Sequence, residues 1–281
     1  MISGKAKLAG VIGWPVQHSQ SPRLHGYWLD QYGIDGAYIP LPVRPEDFED
    51  AFRALPKLGF SGVNITVPHK HSALELVDVV DPLAQQIGAV NTVAVSENGN
   101  LTGYNTDGFG FLENLIHGAP DFSPSAGPAV VLGAGGAARA VVCSLVAAGV
   151  TDLRLVNRTR ARADALADSV HGPVSVYDFS NIDDALEGAN LLVNTTALGM
   201  EGNPPLIISL NALPVQALVN DIVYAPLQTE LLKAAATRGN PVVDGLGMLL
   251  HQARAGFEKW FGIMPDVTDD LRAHILKGMN G

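Results

Sequence analysis

The stretch that decides the fold is Val130-Val131-Leu132-Gly133-Ala134-Gly135-Gly136-Ala137-Ala138-Arg139. It reads as a buried strand, a glycine turn and a helix start, and Gly133, Gly135 and Ala138 fit the pattern G-x-G-x-x-G/A. Gly133 permits the tight turn, Gly135 lets the backbone approach a pyrophosphate, and Ala138 allows close packing of helix on strand. The alternative is a tight turn with a structural role only. Because a second strand follows at the expected distance, we predict a dinucleotide-binding turn made of Gly133, Ala134, Gly135, Gly136 and Ala137.

The end of that second strand indicates which dinucleotide is bound. Sites specific for NAD usually place Asp or Glu here to hold the ribose 2′-hydroxyl. This chain instead has Asn157, Arg158 and Thr159, with Arg162 following. Guanidinium groups bind a 2′-phosphate through charge-assisted hydrogen bonds, so we predict NADP. The alternative is that Arg158 and Arg162 are exposed residues at the start of a helix.

The rest of the second half repeats the rhythm of strand and helix. Helical patterns separate most of its strand-like runs, as in a doubly wound sheet of Rossmann type. The last thirty residues, from about Leu246, read as helical. The strand-like runs are Ala129–Leu132, Leu153–Val156, Val174–Tyr177, Leu191–Val193 and Leu218–Val223, with Pro241–Asp244 as a candidate sixth.

The first half predicts a separate α/β domain with a mostly parallel sheet. A helix should follow Ser21-Pro22, because Ser is a good N-cap and Pro suits the first helical position. The segment His117–Pro128 contains several Gly and Pro residues and is the candidate domain junction. We predict strands at Leu8–Ile12, Gly36–Leu41 and Val63–Val67, a helix at Pro45–Leu55, and a hairpin of Asn91–Ser96 with Asn100–Asn105 around Glu97-Asn98-Gly99.

Composition excludes several classes of function. The chain has 281 residues, 47% hydrophobic and 16% charged, and a net charge of −10, so it has no basic field for nucleic acid. No apolar stretch reaches the length of about 18 residues that a membrane span needs. Cys143 is the only cysteine, lies in an apolar run and is expected to be a buried structural thiol. The cysteine and the scattered histidines show no metal-ligand spacing, and we expect a cytoplasmic protein without a metal.

Three polar constellations in the first half follow strand ends, where α/β folds bind ligands. They are Ser19-Gln20-Ser21-Pro22, Asn64–Lys70, and Asn91 with Asn105-Thr106-Asp107-Gly108. Their hydroxyls, amides, one amine and one carboxylate suit a small polyhydroxylated acid. Singly, each has an ordinary structural explanation, for example a helix cap or a surface lysine.

Taken together, these stretches and others resemble the shikimate dehydrogenase family, and the resemblance covers nearly the whole chain. No position that the family uses for substrate or chemistry departs from its pattern. The matching stretches are Gly13-Trp14-Pro15, Ser19–Pro22, Val63–Lys70, Gly88–Thr92, Tyr104–Gly108, the glycine turn, Asn157-Arg158-Thr159, Asn194-Thr195-Thr196 and Asp244–Met248.

The resemblance implies reduction of 3-dehydroshikimate to shikimate with NADPH. It also implies a substrate domain at residues 1–110, an NADP-binding Rossmann domain at 111–245, and final helices at 246–281 that return to the substrate domain. Lys70 and Asp107 match the family's catalytic pair. Ser19 and Ser21, helped by Tyr224, match the residues that hold the substrate carboxylate. Matches for the ring hydroxyls are Asn64, Thr66, Asn91 and Gln252, and for the cofactor, beyond the turn and the arginines, Thr195, Ile222, Gly245 and Met248.

Physical reasoning gives Lys70 the role of proton donor in reduction. We expect it near a helix N-terminus, whose partial positive charge disfavours an ammonium, while Asp107 opposes that effect and orients the amine. His18 and His69 adjoin these motifs but match no catalytic position, so we interpret both as structural. Alternatives left open are a quinate/shikimate dehydrogenase that uses NAD and a non-catalytic sensor. The sequence does not decide between a monomer and a homodimer.

Overall fold

The computed structural model describes residues 2–279. The chain folds into two compact units. The chain leaves the first unit at Thr106 and re-enters it at Leu250, so the second unit is the continuous run Asp107–Leu249. The loop His117–Pro128, expected as the junction, lies inside the second unit. It does so because the helix before it, which begins at Asp107, packs within that unit: a Cβ at Gly108 would lie 3.2 Å from the carbonyl oxygen of Ala140.

The first unit is built from six strands and short helices. In chain order these are β1 (Lys7–Gly13), α1 (Ser21–Gln31), β2 (Gly36–Pro42), a 3-10 turn (Pro45–Asp47), α2 (Phe48–Ala54), β3 (Phe60–Ile65), α3 (Lys70–Leu76), β4 (Val79–Val80), α4 (Pro82–Ile87), β5 (Thr92–Val95) and β6 (Leu101–Tyr104). The strand order is β2-β1-β3-β5-β6-β4. β2, β1 and β3 are parallel, while β5 is antiparallel to both β3 and β6.

The second unit contains α5 (Asp107–Gly118), a 3-10 turn (Pro124–Ala126), β7 (Ala129–Leu132), α6 (Gly136–Ala147), β8 (Leu153–Asn157), α7 (Arg160–Ser169), β9 (Val174–Asp178), a 3-10 turn (Phe179–Asn181), α8 (Ile182–Leu186), β10 (Leu191–Asn194), β11 (Leu218–Asp221), α9 (Glu230–Arg238) and β12 (Val242–Val243). Its strands are all parallel, in the order β12-β11-β10-β7-β8-β9. This is the doubly wound order, and the predicted fold class is confirmed. The direction of winding reverses between β7 and β10, where folds of this class bind ligands.

Two final helices complete the chain, α10 (Leu246–Phe261) and α11 (Asp269–Met279). From Leu250 onward they belong to the first unit. Trp260 of α10 is 2% exposed, and its indole Nε1 donates to the carbonyl oxygen of Val93 at 2.8 Å. A Cβ at Gly62 would lie 2.1 Å from that indole nitrogen, so only glycine allows α10 to approach β3 this closely.

Helix ends follow local chemistry at several places. The Asp81 side chain caps α4 by accepting from the backbone nitrogens of Leu83 and Ala84, and Gly88 ends that helix in the left-handed conformation. At α1 the expectation is wrong by one residue, because Gln20 is the N-cap and Ser21 is the first helical residue. The nearby cap-like bond comes from Ser19, whose Oγ accepts from the Ser21 backbone nitrogen at 3.3 Å.

Two further expectations from the sequence are corrected by the structure. The predicted strand Val63–Val67 is β3, which begins three residues earlier and ends at Ile65, since Phe60 already pairs with Leu8. The helix predicted at Pro45–Leu55 begins as a 3-10 turn before α2.

Candidate functional site

The carboxyl ends of β1 and β3 bring the first two polar constellations to one edge of the sheet. Ile12 of β1 is in register with Ile65 of β3, and a Cβ at Gly13 would lie 2.4 Å from the Thr66 methyl group. Ser19 and Ser21 follow β1, and Thr66 follows β3. Ser19 and Thr66 are half-buried and Ser21 is buried. Three short hydroxyl side chains therefore follow the carboxyl ends of these two strands.

Lys70 is the first residue of α3 and is half-buried. The sequence expectation that it lies at a helix N-terminus is therefore met. Its backbone carbonyl accepts from the backbone nitrogen of Val90, which ties the start of α3 to the segment before Asn91. Lys70 belongs to the first unit, whereas Asp107 is the first residue of the second unit and of α5.

A chain of buried hydrogen bonds connects the amide side chains of the first unit. Asn64 accepts from the Tyr38 hydroxyl at 2.6 Å and donates through Nδ2 to Thr92 Oγ1 and to the Asn91 carbonyl, both at 3.1 Å. Asn91 Oδ1 accepts from the Thr106 backbone nitrogen at 2.8 Å. The side chains of Asn64 and Asn91 are therefore held in single orientations.

The same chain of hydrogen bonds reaches α10. Asn91 Nδ2 donates to Thr106 Oγ1 at 3.1 Å, and Thr106 Oγ1 donates to Gln252 Oε1 at 3.3 Å. The structure thus brings Asn64, Asn91 and Gln252 into one network. Sequence reasoning missed Tyr38 and Thr92 as its other members, because their bonds to Asn64 span 26 and 28 residues and leave no local pattern.

The two histidines that adjoin the motifs differ in their burial. His69 is 2% exposed, stacks on Phe48 with ring centroids 4.3 Å apart, and places Nε2 2.8 Å from the Val43 carbonyl oxygen. These contacts fit the structural interpretation of His69. His18 is exposed in the loop before α1.

The glycine turn of the second unit follows β7 at the point where the winding reverses. Gly133 has a φ of +112°, and a Cβ there would lie 2.7 Å from Thr195 Oγ1, which itself donates to the Leu132 carbonyl. Thr195 directly follows β10, so the structure brings the two sides of the reversal together. Apart from its own chain neighbours and the backbone of its helix, a Cβ at Gly135 or Gly136 would meet no atom of the described chain within 4 Å.

That open space lies at the N-terminus of the twelve-residue helix α6. Gly135 is the N-cap, no side chain of residues 2–279 caps the helix, and its first turn contains no acidic residue. The backbone nitrogens of the first turn are therefore available to an anion. The pyrophosphate of a dinucleotide fits this space, in which a side chain at position 135 would stand.

The three arginines that follow β8 differ in whether they have a carboxylate partner. Arg160 binds Asp164 at 3.0 Å and Asp178 at 3.3 Å. Arg158 and Arg162 are exposed, and within residues 2–279 no carboxylate pairs with either. Asn157 Nδ2 donates to the Thr159 carbonyl at 2.8 Å and shapes the turn that carries Arg158. Two uncompensated guanidinium groups suit a phosphate.

The remaining predicted cofactor residues lie after β11 and β12. A Cβ at Gly245 would lie 2.2 Å from the Ile222 carbonyl oxygen, so Gly245 packs directly against Ile222. Met248 is half-buried in the first turn of α10. Tyr224 follows Ile222 in the same segment, and burial raises the pKa of its hydroxyl.

Asn114 of α5 supports this region and was also missed from the sequence. Its Nδ2 donates to the Asp244 carbonyl at 2.7 Å, and a Cβ at Gly247 would lie 1.8 Å from its Oδ1. The pairing spans 130 residues, so no sequence window could indicate it.

Two classes of site are absent from residues 2–279. Between residues 2 and 279, no cluster of three or more His, Cys, Asp or Glu side chains is arranged to hold a metal ion. No helix over the same residues has the length and apolar character needed to cross a membrane. Cys143 is buried and unbonded, as predicted, and burial raises the pKa of its thiol.

Comparison with known families identifies three matching regions. Residues 11–93 match the shikimate dehydrogenase substrate binding domain, residues 122–200 match shikimate/quinate 5-dehydrogenase, and residues 245–273 match the shikimate 5′-dehydrogenase C-terminal domain.

Individual proteins agree with this result. The NADP(+) shikimate dehydrogenase of Paramagnetospirillum magneticum is 60% identical over 275 residues, which cover 98% of this chain and 100% of the relative. The structure of shikimate 5-dehydrogenase from Thermus thermophilus, in complex with NADP(H) and shikimate, superposes with a TM-score of 0.84 at 38% identity, covering 98% of each chain. Quinate dehydrogenase from Corynebacterium glutamicum, in complex with NAD, superposes with a TM-score of 0.89 at 35% identity, covering 97% of this chain and 99% of that one.

Proposed function

The chain belongs to the shikimate dehydrogenase family, and from this premise we propose how its residues carry out the reaction. The reaction is the reversible reduction of 3-dehydroshikimate to shikimate with NADPH, a step in the synthesis of chorismate and the aromatic amino acids. The observation that carries the cofactor assignment is the open, glycine-lined N-terminus of α6, followed along the chain by Arg158 and Arg162, which have no carboxylate partner within residues 2–279.

NADPH, when bound, supplies the hydride. The turn Gly133–Ala137 would hold its pyrophosphate through backbone nitrogens, and Asn157, Arg158, Thr159 and Arg162 would hold its adenosine 2′-phosphate. Thr195, Ile222, Gly245 and Met248 would line the nicotinamide end. The direct packing of Gly245 on Ile222 supports this part, because two of the four residues already form one wall.

The first unit supplies most of the groups that bind the substrate in this proposal. Ser19 and Ser21 would bind the substrate carboxylate, with help from the Tyr224 hydroxyl. Ring hydroxyls would bind Asn64, Thr66, Asn91 and Gln252. The hydrogen-bonded network supports this assignment, since amides held in one orientation can distinguish donors from acceptors on a polyol without reordering when it binds.

Lys70 and Asp107 are proposed as the catalytic pair. As the substrate carbonyl is reduced, its oxygen becomes an alkoxide and requires a proton. Lys70 donates that proton from Nζ, and in the reverse direction the neutral amine accepts it from the shikimate hydroxyl. The Asp107 carboxylate orients the amine and accepts a hydrogen bond from a neighbouring substrate hydroxyl. Positioned acid–base catalysis of this kind contributes about 10²–10⁴-fold in rate.

Cellular location and assembly complete the proposal. A single, buried cysteine suits a reducing compartment, so we assign the enzyme to the cytoplasm. Light scattering of the purified protein would decide between a monomer and a homodimer.

The test is an absorbance assay of nicotinamide reduction with shikimate or quinate, each paired with NADP⁺ or NAD⁺. We expect turnover chiefly with shikimate and NADP⁺. Turnover chiefly with quinate or NAD⁺ would contradict the assignment of the substrate or of Arg158 and would leave the Lys70 chemistry standing. A protein that binds NADPH but turns over no pair would be a sensor.

A further inference from the structure

Asp221 is a buried carboxyl group that the proposed mechanism does not use. It is the last residue of β11 and is 0% exposed. Within residues 2–279, no basic side chain pairs with it. Burial raises the pKa of this carboxyl, against the opposing effect of its hydrogen bonds. A buried carboxylate without a cation is destabilising unless hydrogen bonds compensate, so its bonds indicate its role.

Three donors converge on the carboxylate from three segments of the second unit. Asn194 Nδ2 donates to Oδ1 at 2.9 Å, and the Val223 backbone nitrogen donates to the same oxygen at 3.0 Å. Thr229 Oγ1 donates to Oδ2 at 2.7 Å. The first donor belongs to the end of β10, the second to the turn after β11, and the third to the N-cap of α9.

Two of these donors, Asn194 and Thr229, make further hydrogen bonds that fix the neighbouring backbone. Asn194 Oδ1 accepts from the Thr196 backbone nitrogen and hydroxyl, at 3.0 and 2.8 Å, which shapes the turn that contains Thr195. Thr229 Oγ1 accepts from the Leu232 backbone nitrogen at 3.4 Å and so caps α9. One carboxylate therefore holds both ends of the segment from Ile222 to Thr229 and anchors it to β10.

We propose that Asp221 is a positioning residue, which fixes the segment carrying Ile222 and Tyr224 relative to the turn carrying Thr195. The proposal rests on the proposed function, in which Ile222 and Thr195 contact the nicotinamide end and Tyr224 contacts the substrate carboxylate. A carboxylate suits this position because it accepts from all three donors at once. An asparagine of the same shape replaces one acceptor oxygen with a donor group, so the Thr229 hydroxyl can no longer donate to it and must instead accept, although it already accepts from the Leu232 backbone nitrogen.

The experiment compares Asp221→Asn and Thr229→Val with Thr229→Ser, which keeps the hydroxyl. Leu186→Val, in the buried core of the same unit, is the control for destabilisation alone. For each variant we would measure the thermal midpoint, kcat, the KM for shikimate, and the dissociation constant for NADP⁺ by calorimetry. A misplacement of about 1 Å at a reacting group lowers rate by as much as about 100-fold.

We expect Asp221→Asn and Thr229→Val to lower kcat/KM for shikimate by about tenfold or more, while Thr229→Ser and Leu186→Val stay within about twofold of the wild type. Binding of NADP⁺ should weaken less than kcat/KM falls, because the arginines and the glycine turn are untouched. The proposal is overturned if Asp221→Asn and Thr229→Val lower the thermal midpoint as Leu186→Val does and leave kcat/KM unchanged. Failure of the proposed function differs, since the wild type itself would then be inactive with shikimate.

Discussion

Arg158 and Arg160 are two residues apart, yet their surroundings assign them different roles. The carboxylates of Asp164 and Asp178 already compensate Arg160, whereas Arg158 has no such partner in the described chain. An uncompensated guanidinium at the end of β8 attracts a phosphate more strongly than a compensated one. The two residues therefore form a matched pair for testing the 2′-phosphate contact.

We predict that Arg158→Ala raises the KM for NADPH by roughly 10- to 100-fold, since a charge-assisted hydrogen bond contributes about 1.5–3 kcal/mol. The KM for NADH should change little, because NADH lacks the 2′-phosphate. Arg160→Ala is the control and should affect neither cofactor by more than about twofold. Steady-state kinetics with both cofactors measure this, and equal effects of Arg158→Ala on NADPH and NADH would exclude the contact.

For Lys70→Ala, we predict a fall in kcat of about 10²–10⁴-fold with little change in the KM for shikimate, because the amine acts on the transferred proton. Lys57, which is exposed in the same unit, provides the control Lys57→Ala. Initial rates at saturating NADP⁺ separate the two constants. If the KM rose strongly while kcat remained intact, Lys70 would be a binding residue.

His25 illustrates how burial alone sets a protonation state. It is 0% exposed, and its ring stacks on Tyr38 with the ring centroids 4.0 Å apart. Burial lowers its pKa from 6.5 to about 3. The folded state therefore keeps the ring neutral at pH values where the unfolded chain binds a proton.

This gives a pH dependence with a definite sign. Below pH 6.5 the unfolded state binds a proton that the folded state does not bind. The free energy of unfolding therefore decreases as the pH is lowered, down to about pH 3. The slope from this one group is about 1.4 kcal/mol per pH unit. We expect His25→Phe to remove that slope between about pH 6 and about pH 4, whereas His171→Gln, at an exposed site, keeps it.

Urea titrations at several pH values, followed by tryptophan fluorescence, measure this slope. All three tryptophans, Trp14, Trp28 and Trp260, lie in the first unit, so the signal reports the unit that contains His25. An unchanged slope in His25→Phe would show that the ring is protonated in the folded state or is not buried.

The turn between β7 and α6 contains two glycines, and each is glycine for a different reason. Gly133 has a positive φ and would place a Cβ against Thr195, so the fold requires it. Gly135 has a φ of −95° and open space around its Cβ position, so the fold accepts a side chain there. In the proposed function, the requirement for glycine at position 135 comes from the ligand.

We predict that the two alanine variants change different properties, one the KM for NADPH and the other the thermal midpoint. Gly135→Ala should keep or slightly raise the thermal midpoint and raise the KM for NADPH by about tenfold or more, because its methyl group takes the space of the pyrophosphate. Gly133→Ala should lower the midpoint, since a left-handed conformation costs an alanine about 1–2 kcal/mol before the contact with Thr195 is counted. Thermal melts and kinetics test both, and normal NADPH kinetics in a stable Gly135→Ala would place the pyrophosphate elsewhere.

The sequence predicted some elements well and others poorly for identifiable reasons. Ala129–Leu132 was predicted with the bounds it has, because four apolar residues end at a glycine turn. The hairpin of β5 and β6 is also confirmed. Between Lys70 and Ile87, however, α3, β4 and α4 have seven, two and six residues, too few for a periodic pattern to establish.

The same distinction holds for the candidate site. Residues whose role follows from position along the chain, such as Gly135 after β7 or Arg158 after β8, could be chosen from the sequence. Their functional roles stay predictions. Tyr38, Asn114 and Asp221 were not chosen, because each acts on a group brought near only by folding. A tyrosine in a strand or an aspartate at a strand end has many ordinary roles, and its partners decide among them.

The two units of the chain differ in whether they are continuous in sequence. The second unit is one continuous run that contains all six strands of its sheet. The first unit is discontinuous, because its core requires Phe257 and Trp260 from α10. Gly62 and Val93 contact Trp260, so without α10 the centre of the first sheet would be exposed.

We therefore predict that a fragment of residues 107–249 folds alone and binds NADPH, whereas a fragment of residues 1–106 does not fold. Removing Trp260 and Phe257 deletes two large buried aromatic side chains, and each such loss costs about 3–5 kcal/mol. That sum is comparable to the whole stability of a domain of this size. Circular dichroism melts test both fragments, and fluorescence titration with NADPH tests the second. Restoring residues 250–281 to the first fragment through a flexible linker should recover cooperative unfolding, while cooperative unfolding of residues 1–106 alone would show that the final helices are dispensable to the first core.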